Sequence, residues 1–504
     1  MQQNDTDQPL NQASPTLIAQ NIPVGSWQVL PYNSPVIPIH AALLRTGKVF
    51  FIAGSGLELN NVNCRDCTAV WDVANGTFNR PVTPEDDAGE VIDLFCVGHS
   101  FRQDGRLMAA GGTLQYNPYL GEFAALLFDP NSETWTKVTS MSKGRWYPTL
   151  LTLGSGRIVA MSGLDENGDL NTSVEVYSTS FSTGWIAFSQ PTASRFPLYP
   201  HLFLLQDGRI FYSGANFEDS GIERTPVVPP TILTLPGSFT QAIPEQQVPG
   251  LTDADKRNQA ASVLLPPAQE QKVMIIGGGT PDYFAQTTNA CNIVDLRVSN
   301  PTYTPAASLN YGRMHHNAIL LPDRTVFVCN GTTVGETSDS KAPPEIYNPA
   351  TNTWTVVAAQ SVTRIYHSVA LLLPDGRVAT GGSTPGFGAN NYELRLEIYS
   401  PAYMSQPRPT IQNAPQTVSY NRTITIQTPQ AANIKWVSLI KPMATTHGLD
   451  TEQRVVDVPI TSRTSTSLSV TVTNIRNIAP AGWYMLFITD NNNVPSVASW
   501  IRLA

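Results

Sequence analysis

"HSVALLLPDGRVATGGS", residues 367–383, carries the pattern on which the fold turns. An apolar run too short for a helix turns on Pro-Asp-Gly, runs back as a second apolar stretch and stops on Gly-Gly. That is the signature of a buried β-hairpin. The same unit occurs six more times: "HAALLRTGKVFFIAGSG" (40–56), "HSFRQDGRLMAAGG" (99–112), "YPTLLTLGSGRIVAMSG" (147–163), "HLFLLQDGRIFYSG" (201–214), "ASVLLPPAQEQKVMIIGGG" (261–279) and "NAILLPDRTVFVCNG" (317–331).

The spacing is roughly fifty residues, the period of kelch-type propeller blades. Most copies are followed by a third strand with an aromatic and a fourth built around Trp, as in "LLFDPNSETWTKV" and "EIYNPATNTWTVV". Four strands make one blade, and seven blades close a ring. The seventh copy lacks its Trp strand, while "VGSWQVL" (24–30) stands unpaired before the first. We expect it to complete the seventh blade and so remove an exposed edge. After "LEIYSPAYMSQPRPTI" the prolines break the repeat, and short alternating strands such as "TITIQTP" and "GWYMLFITD" follow. The expectation is an all-β chain: a flexible segment 1–23, a seven-bladed propeller over 24–405, and an immunoglobulin-like β-sandwich over 406–504.

Composition fits this and narrows the function. Among 504 residues there are 40 Pro and 35 Gly, and charged residues make up only 14%, which suits many short strands joined by turns. A net charge of −8 argues against nucleic acid or an anionic membrane surface as partner, and no apolar run is long enough to span a bilayer. The polar start "MQQNDTDQPLNQASP" is no signal peptide, yet the low charge and turn-rich make-up lean towards an exported protein. Of five cysteines, Cys64 and Cys67 form a lone C-x-x-C with no second ligand pair for zinc, leaving a local disulfide or two thiols.

In a propeller the innermost strands line the axis, so residues at the same end of those strands meet. Here the first-strand starts bring His40, the segment Cys96–His99, Tyr147, His201, His315, His316, Tyr366 and His367. Six of seven histidines fall at such places. Any one of them is ordinarily a buried, hydrogen-bonded core residue; it is the gathering that points to a metal. Imidazole with phenol oxygen and no thiolate cluster suits copper or iron better than structural zinc.

Four separated motifs then resemble those of the copper radical oxidases, the galactose oxidase and glyoxal oxidase family, with the closer likeness to the glyoxal oxidase branch. "DLFCVGHSFRQDGRLMAAGG" resembles the segment whose cysteine is joined to a tyrosine by a thioether, which implies that role for Cys96. "GRWYPTLLTLGSGR" resembles the partner segment, implying Tyr147 as the cross-linked radical residue and metal ligand. "RIYHSVALLLPDGRV" implies Tyr366 as axial phenolate and general base and His367 as ligand; "TTHGLDTEQR", from the C-terminal part, implies His447 as the last ligand. The resemblance implies one mononuclear copper ion, the Cys96–Tyr147 thioether as a built-in cofactor, and oxidation of a small aldehyde or primary alcohol with O2 reduced to H2O2.

Departures from the family pattern bear on substrate. Where galactose oxidase stacks a tryptophan over the cross-linked tyrosine, "SGLDENGDL" places Asp165, as a glyoxal oxidase would also lack that tryptophan. Trp146 belongs to the "RWY" form of the glyoxal branch. His99, His201, His315 and His316 are expected as channel-wall or second-shell residues, with Arg145 a weaker candidate. The leading expectation is a secreted, monomeric oxidase of glyoxal-like aldehydes. A carbohydrate or alcohol oxidase on the same site is the alternative, and a glycan-binding protein without turnover a more distant one.

Overall fold

The computed structural model describes residues 25–56, 64–217, 227–281, 285–335, 342–384 and 392–504. The expected flexible segment 1–23 lies outside them. The described chain is nearly all β, its only helical turns being short 3-10 turns such as Ala254–Lys256 and Ala402–Ser405.

Six of the seven quoted hairpins open four-stranded antiparallel sheets, and the first along the chain lies in a six-stranded sheet completed by two strands from the C-terminal part. The first runs His40–Leu43, Val49–Ile52, Thr68–Asp72, Thr77–Asn79, and the third Thr149–Thr152, Ile158–Met161, Val174–Tyr177, Trp185–Ala187. First and second strands are buried end to end, while fourth strands such as Thr134–Val138 alternate half-buried and exposed positions. That gradient is what short apolar runs followed by Trp-centred, half-polar ones dictate. The seventh sheet takes Ser26–Asn33 as its outer strand. Trp27 lies opposite Tyr399 in register, their rings 5.0 Å apart. The sheets remain separate, and none of those described closes on itself.

Beyond Ser400 the strands form a five-stranded sheet (including Ile434–Ile440 and Gly482–Asp490) and a three-stranded one (Thr423–Gln427, Ser467–Thr471, Ile460–Arg463), with an apolar core shared between them. From this unit the hairpin Ala444–Thr446 and Leu449–Asp450 reaches back and pairs with His40–Leu43, setting Thr446 opposite His40.

A buried ion pair recurs just before the first strand. Arg145 pairs with Glu175 (3.1 Å), Arg313 with Glu345 (2.8 Å) and Arg364 with Glu397 (3.5 Å), every partner shielded from solvent. The glutamate sits on the third strand and also accepts backbone N–H groups of the incoming segment: Ser142 at Glu175, Asn310 at Glu345, Ser361 and Val362 at Glu397. The arginines bond carbonyls of their own sheet, Arg145 to Ser162 O and Arg364 to Gly382 O. Paired, hydrogen-bonded charges tolerate burial, though the Nε of each of these arginines has no hydrogen-bond partner. They fix the direction from which each chain segment approaches its inner strand. Arg145 is therefore an anchor of the third sheet.

Candidate metal centre

A residue at the entry to the first strand has left-handed backbone in six consecutive sheets: Cys96 (φ 63°), Tyr147 (62°), Tyr199 (41°), Gln259 (55°), His315 (59°, the second residue of its strand) and His367 (58°). For side chains with a Cβ this conformation costs about 1–3 kcal/mol each. Because Gln259 and Tyr199 share it, the strain belongs to the repeat and turns whatever side chain stands there. Backbone bonds tie neighbouring turns together: Tyr147 N–H to Cys96 O (3.0 Å) and Tyr199 N–H to Tyr147 O (2.9 Å). His447 arrives from the C-terminal hairpin, also left-handed (φ 50°).

These turns bring four of the sequence candidates to one point. The Tyr147 hydroxyl lies 2.8 Å from the Tyr366 hydroxyl and 3.2 Å from Nε2 of His447. The His367 ring stacks on Tyr366 at 3.8 Å and stands perpendicular to His447 at 4.9 Å. Each imidazole is held through its Nδ1 by a threonine hydroxyl: Thr384 to His367 at 3.0 Å, and Thr446 to His447 at 2.6 Å. That leaves Nε2 of both rings for the pocket, and Nε2 of His367 is buried without a hydrogen-bond partner. Orientation of a ligand imidazole by a hydrogen bond at its far nitrogen is the usual build of a metal site.

Burial keeps three of the donors, His367, His447 and Tyr147, uncharged. It pushes His367 down to about 3 and His447 well below the ordinary imidazole range, where neighbouring histidines lower it further. Burial, then the Cys96 thiol and the Tyr366 phenol, hold Tyr147 well above the usual phenol range. Neutral imidazoles present lone pairs, and a cation among the phenols would reverse their preference for the proton. Among the described residues no three His, Cys, Asp or Glu side chains converge on one point, so a metal here needs the phenol oxygens. Two phenols and two oriented imidazoles fit copper.

Cys96 is buried next to the Tyr147 backbone. Trp146 lies against Tyr147 (centroids 3.9 Å) and His315 against Tyr366 (5.3 Å). His99 and His40 stack edge-on at 5.3 Å behind His447. His201 instead bonds Ser262 Oγ (2.8 Å) across to the next sheet, and His316 is buried. Asp165 is not brought into the pocket group: its carboxylate caps its own turn through Asn167 N–H and Asp169 N–H. Two residues that the sequence reading missed line the site. Phe217 packs on Tyr147 (4.7 Å), Tyr366 (5.8 Å) and His447 (5.5 Å), and Tyr199 on Tyr147 (4.6 Å). Tyr199 shares the Tyr-Pro of Tyr147 and could have been found by aligning the repeats; nothing in "GANFED" marks Phe217. Cys64 and Cys67 form a disulfide.

Acid should destabilise this interior. Burial holds His201 at about 3 and His99 at about 4, against 6.5 in the open chain. The unfolded chain therefore binds protons that the folded one refuses. Stability is full above pH 6.5 and is lost as pH falls, by about 3 kcal/mol per histidine at pH 4.5. Thermal melts of metal-free protein at pH 7 and 4.5 should show the lower midpoint at 4.5; equal midpoints would mean these imidazoles take protons in place.

The comparisons agree with the fold. A family model described as the glyoxal oxidase N-terminus matches residues 55–403, and one described as the galactose oxidase-like early set domain matches residues 408–503. A galactose oxidase of Gibberella zeae is 28% identical over 469 residues, 86% of this chain but only 64% of that protein, so the chain spans under two thirds of its length. Aldehyde oxidase GLOX of Vitis pseudoreticulata is 25% identical over 95% of this chain and 97% of its own. A fungal alcohol oxidase of the AA5 family, solved in complex with copper, superposes with a TM-score of 0.78 at 23% identity, over 95% of this chain and all of that one. The chain belongs to the glyoxal oxidase family, whose model covers more than half of it.

Proposed function

We propose that the protein oxidises small aldehydes, taken as their hydrates, to carboxylic acids while O2 is reduced to H2O2. The observation that carries this reading is the meeting of Tyr147, Tyr366 and His447 within 3.2 Å, beside the unpartnered Nε2 of His367. These four residues would hold one copper ion. When bound, copper would supply one electron's worth of redox capacity. The reaction removes two electrons, so the protein must store the other, and Tyr147 does so. Its ring is joined to Cys96 in a maturation step: a carbon–sulfur bond forms, the thiol and ring hydrogens leave, and O2 takes both with two electrons as H2O2. Sulfur delocalises the stored radical. Tyr366 takes the hydroxyl proton of the substrate at Oη, and oxidised Tyr147 takes a hydrogen from its carbon.

We read the seven sheets as blades of one kelch-type propeller over residues 24–405, followed by a β-sandwich over 406–504 that sends His447 to the axis. A ring of blades contains no closed sheet, in keeping with the separate sheets described. We also read the protein as a secreted monomer acting on small molecules. Among the described residues no helix is long and apolar enough to cross a membrane.

After exposure to copper and air, intact mass should fall by two hydrogens, and Cys96→Ala should abolish the loss. A wild-type chain that takes up copper yet keeps its full mass would overturn the reading and favour a non-catalytic binding protein. The likeness to an alcohol oxidase structure supports a second reading, a primary alcohol or galactose-type oxidase on the same site. Peroxide yield across glyoxal, methylglyoxal, glycerol, benzyl alcohol and galactose separates the two; galactose outpacing every aldehyde would decide for the second.

A further inference from the structure

Tyr147 and Trp146 are each only 1% exposed, so an oxidant in solution reaches neither ring directly. The two rings touch, with centroids 3.9 Å apart. Trp146 is in turn stacked on Tyr119, 4.5 Å away and within 15° of parallel. Tyr119 meets Tyr116 edge-on at 5.7 Å. Both tyrosines are partly exposed and belong to the small hairpin Thr113–Gln115 and Leu120–Gly121, set between the second and third strands of the second sheet. Four oxidisable rings thus run in contact from the buried phenol to the surface. Phenylalanine at 116, 119 and 146 would pack as well but could not be oxidised at an accessible potential.

We propose that Trp146 and Tyr119 form a conduit through which Tyr147 is oxidised by an external one-electron, outer-sphere oxidant. The inference rests on the radical role of Tyr147 given above. The oxidant takes one electron at Tyr119 and is reduced by one unit; Tyr119 is refilled from Trp146, and Trp146 from Tyr147. Tyr147 ends one electron poorer; in the copper-free protein its Oη proton passes to Nε2 of His447, 3.2 Å away, whereas a Tyr147 holding copper would already have given that proton up. The outer end has its own proton partner. The Tyr116 hydroxyl lies 3.3 Å from Asp93 Oδ2 and bonds Ser55 Oγ, while Asp93 Oδ1 is fixed by the N–H groups of Ser55 (2.8 Å) and Phe95 (3.0 Å). A hole resting on Tyr116 can lend its proton to Asp93 and recover it. Electron tunnelling falls steeply with distance, so rings in contact carry charge where a single long jump does not.

The test uses the full chain, matured with copper in air, stripped with a chelator and mixed in a stopped-flow instrument with hexachloroiridate(IV). Appearance of phenoxyl absorption gives the rate. Tyr119→Phe, which keeps the stacked ring, should reach the wild-type amplitude more slowly by an order of magnitude, with the midpoint potential of Tyr147 unchanged. Trp146→Phe should also be slow. An unchanged rate in Tyr119→Phe overturns the conduit, as does a slower rate fully accounted for by a raised midpoint. Intact mass separates this from failure of the parent reading: a wild-type chain without the two-hydrogen loss sinks the oxidase assignment and the conduit with it, whereas a cross-linked chain with an unchanged Tyr119→Phe rate sinks the conduit alone.

Discussion

Tyr366→Phe should keep its fold and most of its metal while turnover falls by about 10²–10⁴-fold, the usual worth of a positioned base. The ring of Tyr366 is packed by His367 (3.8 Å), His315 (5.3 Å) and Phe217 (5.8 Å), contacts that phenylalanine preserves. What disappears is one oxygen, 2.8 Å from the oxygen of Tyr147, and with it the group that accepts the proton of the substrate. Tyr147, His367 and His447 remain as donors. The loss should therefore appear in kcat, with KM little changed, and metal content per chain should stay near one. Peroxide release, measured beside metal analysis, checks both. Tyr199→Phe is the matched control. Its ring also packs on Tyr147, but its hydroxyl is spent on the Val97 carbonyl (2.9 Å), so it should stay within a few-fold of wild type. A Tyr366→Phe enzyme as active as the control would place the base elsewhere.

Much of this centre could be read in the sequence because the repeat does the positioning. Once the first strands are found, six of the seven carry a left-handed residue at their entry that aims its side chain, and Cys96, Tyr147 and His367 stand at that step of the repeat. The clasp of the seventh sheet was legible for a similar reason: a Trp strand was missing at one end and spare at the other. Three features were not legible. Phe217 follows a second strand, where the repeat imposes no pattern. Asp165, placed by analogy with an aromatic of the family, serves its own turn because aspartate two residues before a free N–H closes a local ring more cheaply than it enters a buried pocket. The buried Arg–Glu pairs join residues about thirty positions apart, and each charge by itself reads as a surface residue.

Glu452→Ala should be the most damaging change outside the ligand set, for reasons that start at Lys441. That ammonium is almost fully buried, and burial lowers its affinity for the proton. Its counter-charge is Glu452, which is wholly buried, and whose Oε1 also accepts from the Ser100 hydroxyl and from Phe101 N–H (3.1 Å). Removing one partner of such a pair typically costs about 3–5 kcal/mol, because the other is left charged and unpaired. Here the loss also reaches the metal. Glu452 lies five residues after His447, in a loop that Thr451 pins to Leu150 O (2.9 Å) and Gln453 to Leu320 (2.8 and 3.0 Å). Three first strands thus hold the segment that delivers the last imidazole, and Glu452 grips the one that follows Cys96. Glu452→Ala should therefore melt at lower temperature and also release copper more readily to a competing chelator. Glu452→Gln, which can still accept from Phe101 N–H, should fall between. Replacing Lys441 by Met in the Glu452→Gln background removes the orphaned charge, so it should recover stability without tightening the metal beyond Glu452→Gln. If stability and metal retention instead rose together in that double variant, the buried charge alone would govern both, and the grip of Glu452 on the second sheet would have no separate part in placing His447.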